Sequence, residues 1–174
     1  MTTTISPTGI ERLYDDTQIL VSRTDKDGYI TYCNEYFRDI TGYEDRSLLG
    51  QPHNCLRHPE MPRSIFKLLW DDLEAQTDAF AYMLNMASNG DHFWAFTHIT
   101  PSKDETGEVV GYEASRRVPN RTTLREVIEP LYKELHDIES RFDDEEEGLK
   151  AGNDHLASLL NEKSTSYRRF VLSL

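Results

Sequence analysis

The sequence predicts an α+β fold: a five-stranded antiparallel sheet with short helices on one face and a helical C-terminal extension. Three observations predict it. Asp27-Gly28 and Asn89-Gly90 each sit between β-prone runs, which is hairpin chemistry because such turns need positive φ and glycine adopts it cheaply. One strong helical period lies between the two hairpins, opening at Pro62. Beyond Pro119 no strand signal remains, and apolar residues recur only at helical spacing.

The elements follow in order. Residues 1–18 are polar and threonine-rich and read as an arm or cap. Ile19 to Ser22 and Tyr29 to Cys33 form the first hairpin around Asp25-Lys26-Asp27-Gly28. Asn34 is placed to cap a short helix, since its side chain can accept an orphan backbone N–H, and Gly42 ends that helix. Glu44 to Leu49 predicts another helical turn, stopped by Gly50. Pro62 suits the first turn of a helix, where its missing N–H costs nothing. That helix repeats Ile65, Leu68, Leu69 and Leu73 on one face and Phe66 and Trp70 on the next. FAYMLNMAS, HFWAFTHITPS and EVVGYEASRRV then supply three strands. All helices before Pro119 therefore fall between strands two and three, which puts them on one face of the sheet.

The sheet-bearing unit thus spans 19–119, and 120–174 is a helical extension. Leu124, Val127, Ile128, Leu131, Leu135 and Ile138 form one apolar stripe, and Leu156, Leu159 and Leu160 a second. Such stripes need a cover, from the chain itself or from a partner or second copy. The acidic DDEEEG run between them reads as a solvated break.

Composition narrows the function. The chain has 174 residues and a net charge of -12, a field that repels nucleic-acid backbones and anionic membrane surfaces. There is no run of eighteen apolar residues and no secretory leader pattern, so a cytoplasmic address is expected. Two cysteines, Cys33 and Cys55, make neither a disulfide framework nor a zinc site. No nucleophile–base motif, metal-spaced cluster or glycine-rich phosphate loop is present, so the chain does not read as an enzyme.

The least ordinary stretch is GQPHNCLRHPEMP, residues 50–62, with two histidines, an arginine and three prolines. Together with NEYFRDITGYEDRSLLGQPH, NGDHFW and EPLYK, it resembles the PAS sensor domain of bacterial aerotaxis (energy-taxis) receptors, over roughly residues 15 to 135. The resemblance implies a PAS fold that holds FAD non-covalently and reports its redox state, as a soluble redox or oxygen sensor in signal transduction. It also implies the cofactor positions: Asn34, Arg57, His58, Glu60 (where the family more often has aspartate), Phe66, Trp70 and Asn85. The chemistry agrees. Phe66, Trp70 and Trp94 can wall a flat ring, and the Asn34 and Asn85 amides can address its edge. Arg57, with His58 beside it, can bind a pyrophosphate through its planar fork. Pro52, Pro59 and Pro62 would stiffen this clamp.

Plainer readings stand beside these. The aromatics can be core, Asn34 only a cap, Arg57 and His58 a surface pair, and Asn85 solvent-facing. Haem is the rival cofactor, through His53 or His58, and a cofactor-free dimerisation module is the other class. Asn54-Cys55 resembles the reactive pair of flavin-binding LOV photoreceptors. However, two extra residues follow Gly50, Ala95 stands where that group has asparagine, and the last strand lacks a glutamine. A buried thiol is the reading preferred for Cys55. Aerotaxis receptors carry a membrane anchor and a chemotaxis signalling region, neither of which is in this sequence: the chain is expected to be either a stand-alone PAS subunit acting through a separate transducer or a piece of a longer protein, with homodimerisation open.

Overall fold

The computed structural model describes residues 5–174; residues 1–4 of the predicted arm lie outside the described residues. The strands are β1 (Leu20–Asp25), β2 (Ile30–Cys33), β3 (Ala79–Met86), β4 (His92–Lys103) and β5 (Val109–Arg117). They form one antiparallel sheet in the order β2-β1-β5-β4-β3. Between β2 and β3 the chain makes α1 (Glu35–Thr41), α2 (Asp45–Leu48), a 3-10 turn at His53–Leu56, and α3 (Arg63–Glu74). These pieces cover the inner face of the sheet.

Local chemistry explains the boundaries. Gly28 turns the first hairpin at φ 86°. Asn34 caps α1, its Oδ1 accepting from the Phe37 N–H at 3.1 Å. Gly42 closes that helix in the left-handed region at φ 67°. Strand alternation then divides the sheet. Leu20, Ser22, Thr24, Met83, Asn85, Phe93, Thr97, Ile99, Ala114 and Arg116 share the inner face by register.

The C-terminal stripe folds back onto the chain's own sheet. A helical stretch runs through α4 (Arg121–Thr123), a π-helical turn (Leu124–Ile128) and α5 (Glu129–Glu139), followed by α6 (Glu145–Glu162) and α7 (Tyr167–Leu172). The π turn ends two residues before Pro130, which has no N–H to give to the preceding turn. Leu124, Ile128, Tyr132, Leu135 and Leu156 are buried in one core with Tyr82, Leu84 and Trp94. The Tyr132 hydroxyl donates to the Tyr82 carbonyl at 2.8 Å and pairs with the Tyr167 hydroxyl at 2.7 Å.

The acidic run is exposed and follows a break after α5, as expected, but from Glu145 it is helical. Asp144 caps α6, accepting from the Glu146 and Glu147 N–H groups, and Glu145 to Glu147 form the first helical turn. Carboxylates are favoured there by the exposed N–H groups and the helix dipole.

The arm is tied down at its far end. Thr8 donates to Asp91 at 2.6 Å, Arg12 pairs with Asp91 at 3.1 Å, and Glu11 takes a forked bond from Arg121 at 2.6 and 2.8 Å.

Candidate functional site

Between α3 and the inner face of the sheet lies a half-open cavity of about 160 Å³. Its walls are apolar: Phe66, Leu69, Trp70 and Leu73 from α3, facing Met83, Ile99 and Ala114 from the sheet. The helical period of α3 and the two-residue period of the strands aim both sets into the same space. Trp70 stands at the mouth, 42% exposed, its ring edge-on to Tyr112 at 5.6 Å. Arg57 also lines the cavity, with its guanidinium 4.7 Å from the centre of the Phe66 ring.

Polar side chains are set among these walls, and several are unusual. Asn85 on β3 is buried, its Nδ2 donating to the Met83 carbonyl at 3.3 Å. Thr97 on β4 is 1% exposed, and its hydroxyl has no partner. Arg116 on β5 is 3% exposed, and no carboxylate among the described residues pairs with it. Its Nη1 donates to Ser22 Oγ at 3.0 Å and its Nη2 to His53 Nε2 at 2.9 Å, while the guanidinium lies over Phe37 at 4.8 Å. Burial, then the neighbouring Arg116 charge, pushes the His53 pKa down to about 3, so its imidazole is a neutral acceptor. Burial lowers the Arg116 pKa to about 10, which leaves it cationic at neutral pH.

The expected cofactor residues divide between two places. Arg57 pairs with Asn85 in an isolated antiparallel bridge, so the RHP run lies along the β3 edge as a short extended piece. Consecutive residues there point to opposite sides. Arg57 enters the inner cavity, together with Phe66, Trp70 and Asn85. His58, Glu60 and Trp94 instead line a second cavity of about 540 Å³, on the outer side under α5, with His92 and His136. Trp94 lies on the outer parity of β4, between inward Phe93 and Ala95, and packs against Tyr132 at 5.9 Å. Asn34 is in neither cavity: its Oδ1 holds the N–H groups of Val21 and Phe37, and its Nδ2 donates to the Ile19 carbonyl.

A family pattern described as the PAS fold matches residues 30–116, half of the chain. This chain belongs to the PAS fold family. Over 126 residues the PAS chain is 40% identical to the aerotaxis receptor of Escherichia coli K12, a match covering 71% of this chain and 24% of the receptor. It is 31% identical over 90 residues to the blue-light-activated histidine kinase of Brucella anthropi, covering 52% of this chain and 18% of the kinase. The chain therefore spans about a quarter or less of the length of these relatives. Among solved structures, the light-state LOV domain of Aureochrome1 superposes with a TM-score of 0.58 at 21% identity, over 64% of this chain and 89% of that one. A light-oxygen-voltage domain studied with a flavin analogue gives 0.59 at 24%, over 68% and 90%. These two likenesses concern the fold.

Within the PAS fold, Ser22, Thr97 and Arg116 line the inner cavity but were not named by sequence reasoning. The signal for the strand residues was available: Tyr112, Ala114 and Arg116 share one parity, opposite Glu113, Ser115 and Arg117. An arginine on the inward parity of a sheet strand is a question that alternation alone can raise. His53 was considered only as an iron ligand. Its Nε2 is already held by Ser22 at 3.1 Å and Arg116 at 2.9 Å, so ligating iron would set a metal cation against a guanidinium. His58 faces the other cavity. Neither histidine named as an iron ligand therefore offers a free Nε2 to the inner cavity, and the haem alternative is not supported. Cys55 does not line the cavity; it packs partly buried against the separate core around Phe37.

Proposed function

We propose that this PAS domain is a redox sensor that holds FAD non-covalently in the inner cavity and relays the flavin's redox state to a signalling partner, in an aerotaxis or energy-taxis role. The observation that carries this reading is the cavity between α3 and the sheet. Its walls are largely aromatic and aliphatic, as the faces of a flat ring require, and two of its buried polar groups, Thr97 and Arg116, keep unused donors, as the edge of such a ring requires. The unpartnered Thr97 hydroxyl is the sharpest sign, because a buried hydroxyl without a partner is costly. The identity with the aerotaxis receptor supports the same reading.

A cavity of about 160 Å³ is too small for a whole dinucleotide, so much of FAD would lie beyond the mouth. Asn85, Thr97 and Arg116 would meet the ring's polar edge, Phe66 and Trp70 its faces, and Arg57 the phosphates. When bound, the isoalloxazine ring supplies a reversible two-electron couple. The protein's own part is to exclude water with the α3 wall, to orient the ring with fixed donors, and to present a different hydrogen-bonding surface to each redox state. A partner, which we take to be a separate transducer, must then distinguish those states energetically.

The test is the absorbance of the purified protein, with and without added FAD. Protein-bound flavin bands, lost in Trp70→Ala, are expected, with an unchanged far-UV spectrum because Trp70 is half-exposed at the rim. A haem Soret band, or no uptake of FAD, would overturn the reading.

A further inference from the structure

We propose that Arg116 is the charge that discriminates between the redox states of the bound ring, binding the reduced, negatively charged state more tightly than the oxidised one. This rests on the flavin reading above and deepens it.

A guanidinium has five N–H donors. Three of those of Arg116 go to Ser22 Oγ, the Ala114 carbonyl and His53 Nε2. The others have no partner among the described residues, although Arg116 is 3% exposed and lines the inner cavity. Every partner it does have is neutral. Ser22 is a hydroxyl, Ala114 a backbone carbonyl, Phe37 a ring face, and His53 an imidazole held uncharged. Tyr14 is the other titratable group in its field, and burial raises the Tyr14 pKa, so it too is neutral. A buried cation without a counter-charge is expensive to keep. The expense is recovered only if something entering the cavity brings negative charge or electron density to the free donors.

Reduction of a flavin does that. With dithionite as donor, oxidised to sulfite, the ring gains two electrons and takes one proton from water, and one negative charge remains on it. A fixed guanidinium at the ring's edge stabilises that charge, and the surrounding low dielectric strengthens the attraction. A protein with net charge -12 would otherwise oppose it. Oxidised flavin, being neutral at the ring, gains only hydrogen bonds from the same group.

The experiment measures FAD affinity in the oxidised and dithionite-reduced states for the full chain, Arg116→Gln and Arg116→Lys, with circular dichroism to show that each is folded. Wild type is expected to bind reduced FAD more tightly than oxidised FAD. Arg116→Gln should shift that preference at least tenfold toward the oxidised state, lowering the bound midpoint by about 30 mV. Arg116→Lys should keep most of the wild-type preference, because it keeps the charge. FAD bound by Arg116→Gln with an unchanged preference overturns the proposal and leaves the flavin reading standing. An equal shift in both variants assigns the effect to lost packing and overturns it too. A wild-type midpoint at or below that of free FAD overturns it without reference to any variant. Wild-type protein that takes up no FAD in either state overturns the flavin reading and this proposal together.

Discussion

Thr97 places opposite demands on one hydroxyl. Buried on β4 without a partner among the described residues, it destabilises the protein alone, and on the FAD reading proposed above the same group is a ready donor to the ring. Thr97→Val removes the unmet hydroxyl at nearly constant shape. In flavin-free protein it should raise stability by about 1 kcal/mol, or roughly 2–4 °C in melting temperature for a chain of this size, while FAD affinity falls. A lower melting temperature would show that the hydroxyl is satisfied in solution. His53 gives a second residue-scale expectation. Its folded pKa of about 3 lies below the ordinary 6.5. Between those values the unfolded chain binds the proton and the folded one does not, so stability rises with pH across that window and is lost as pH falls from about 6.5 toward 3. Denaturant midpoints measured at pH 7 and pH 5 should therefore differ less in His53→Gln than in wild type. Asp91, held at about 2 chiefly by the Thr8 and Asn89 hydrogen bonds, adds its own loss only below the ordinary carboxylate range, so the two effects separate by pH.

At the scale of elements, α3 starts without a side-chain cap of its own, because Pro62 occupies the cap position. The cap comes from the far end of the chain. Buried Glu139, the last residue of α5, accepts from the N–H groups of Arg63 and Ser64 at 2.8 and 2.9 Å and from the Ser64 hydroxyl at 2.7 Å. Two glycines of α6 let that helix approach: a Cβ on Gly148 would sit 2.5 Å from the Glu139 carbonyl, and one on Gly152 2.8 Å from the Glu139 carboxylate. Helix propensity alone says that Gly148→Ala gains up to about 1 kcal/mol. The clash is with backbone, so the structure reverses the sign, and a net loss of about 1–3 kcal/mol is expected, read as a lower denaturant midpoint. This junction was not legible in the sequence. Periodicity marked α3 and the stripe of α5, because each buries a face that shows in its spacing. A glutamate capping a helix 76 residues away leaves no local pattern. The same limit explains the site. Phe66 and Trp70 share a face that the helix period shows, Asn85 was named only through the resemblance, and Trp94 went to the other cavity through a one-residue difference in parity that the motif NGDHFW does not reveal.

For the whole molecule, the fold was legible because turns, periods and the loss of strand signal after Pro119 all agree on one topology. What composition could not say is what covers the C-terminal stripes, since an apolar face looks the same whether it meets its own sheet or another chain. The structure answers with the chain's own outer face, and this has a functional consequence. One face of α3 walls the cavity through Phe66, Leu69, Trp70 and Leu73, and its first turn is held by Glu139, around which α6 is packed. Cavity and extension are thus joined by a rigid element and a buried carboxylate. Any ligand that changes the seating of α3 shifts the stability of the α5–α6 junction, and by linkage the junction shifts ligand affinity by the same factor. FAD should therefore slow hydrogen exchange of backbone amides in α6, none of whose residues line the cavity. Glu139→Ala should abolish that slowing while FAD still binds. Exchange in α6 that is indifferent to FAD in the wild-type protein would mean that the signal leaves by another route, across the sheet to the second cavity, where His58, His92 and His136 gather beneath α5.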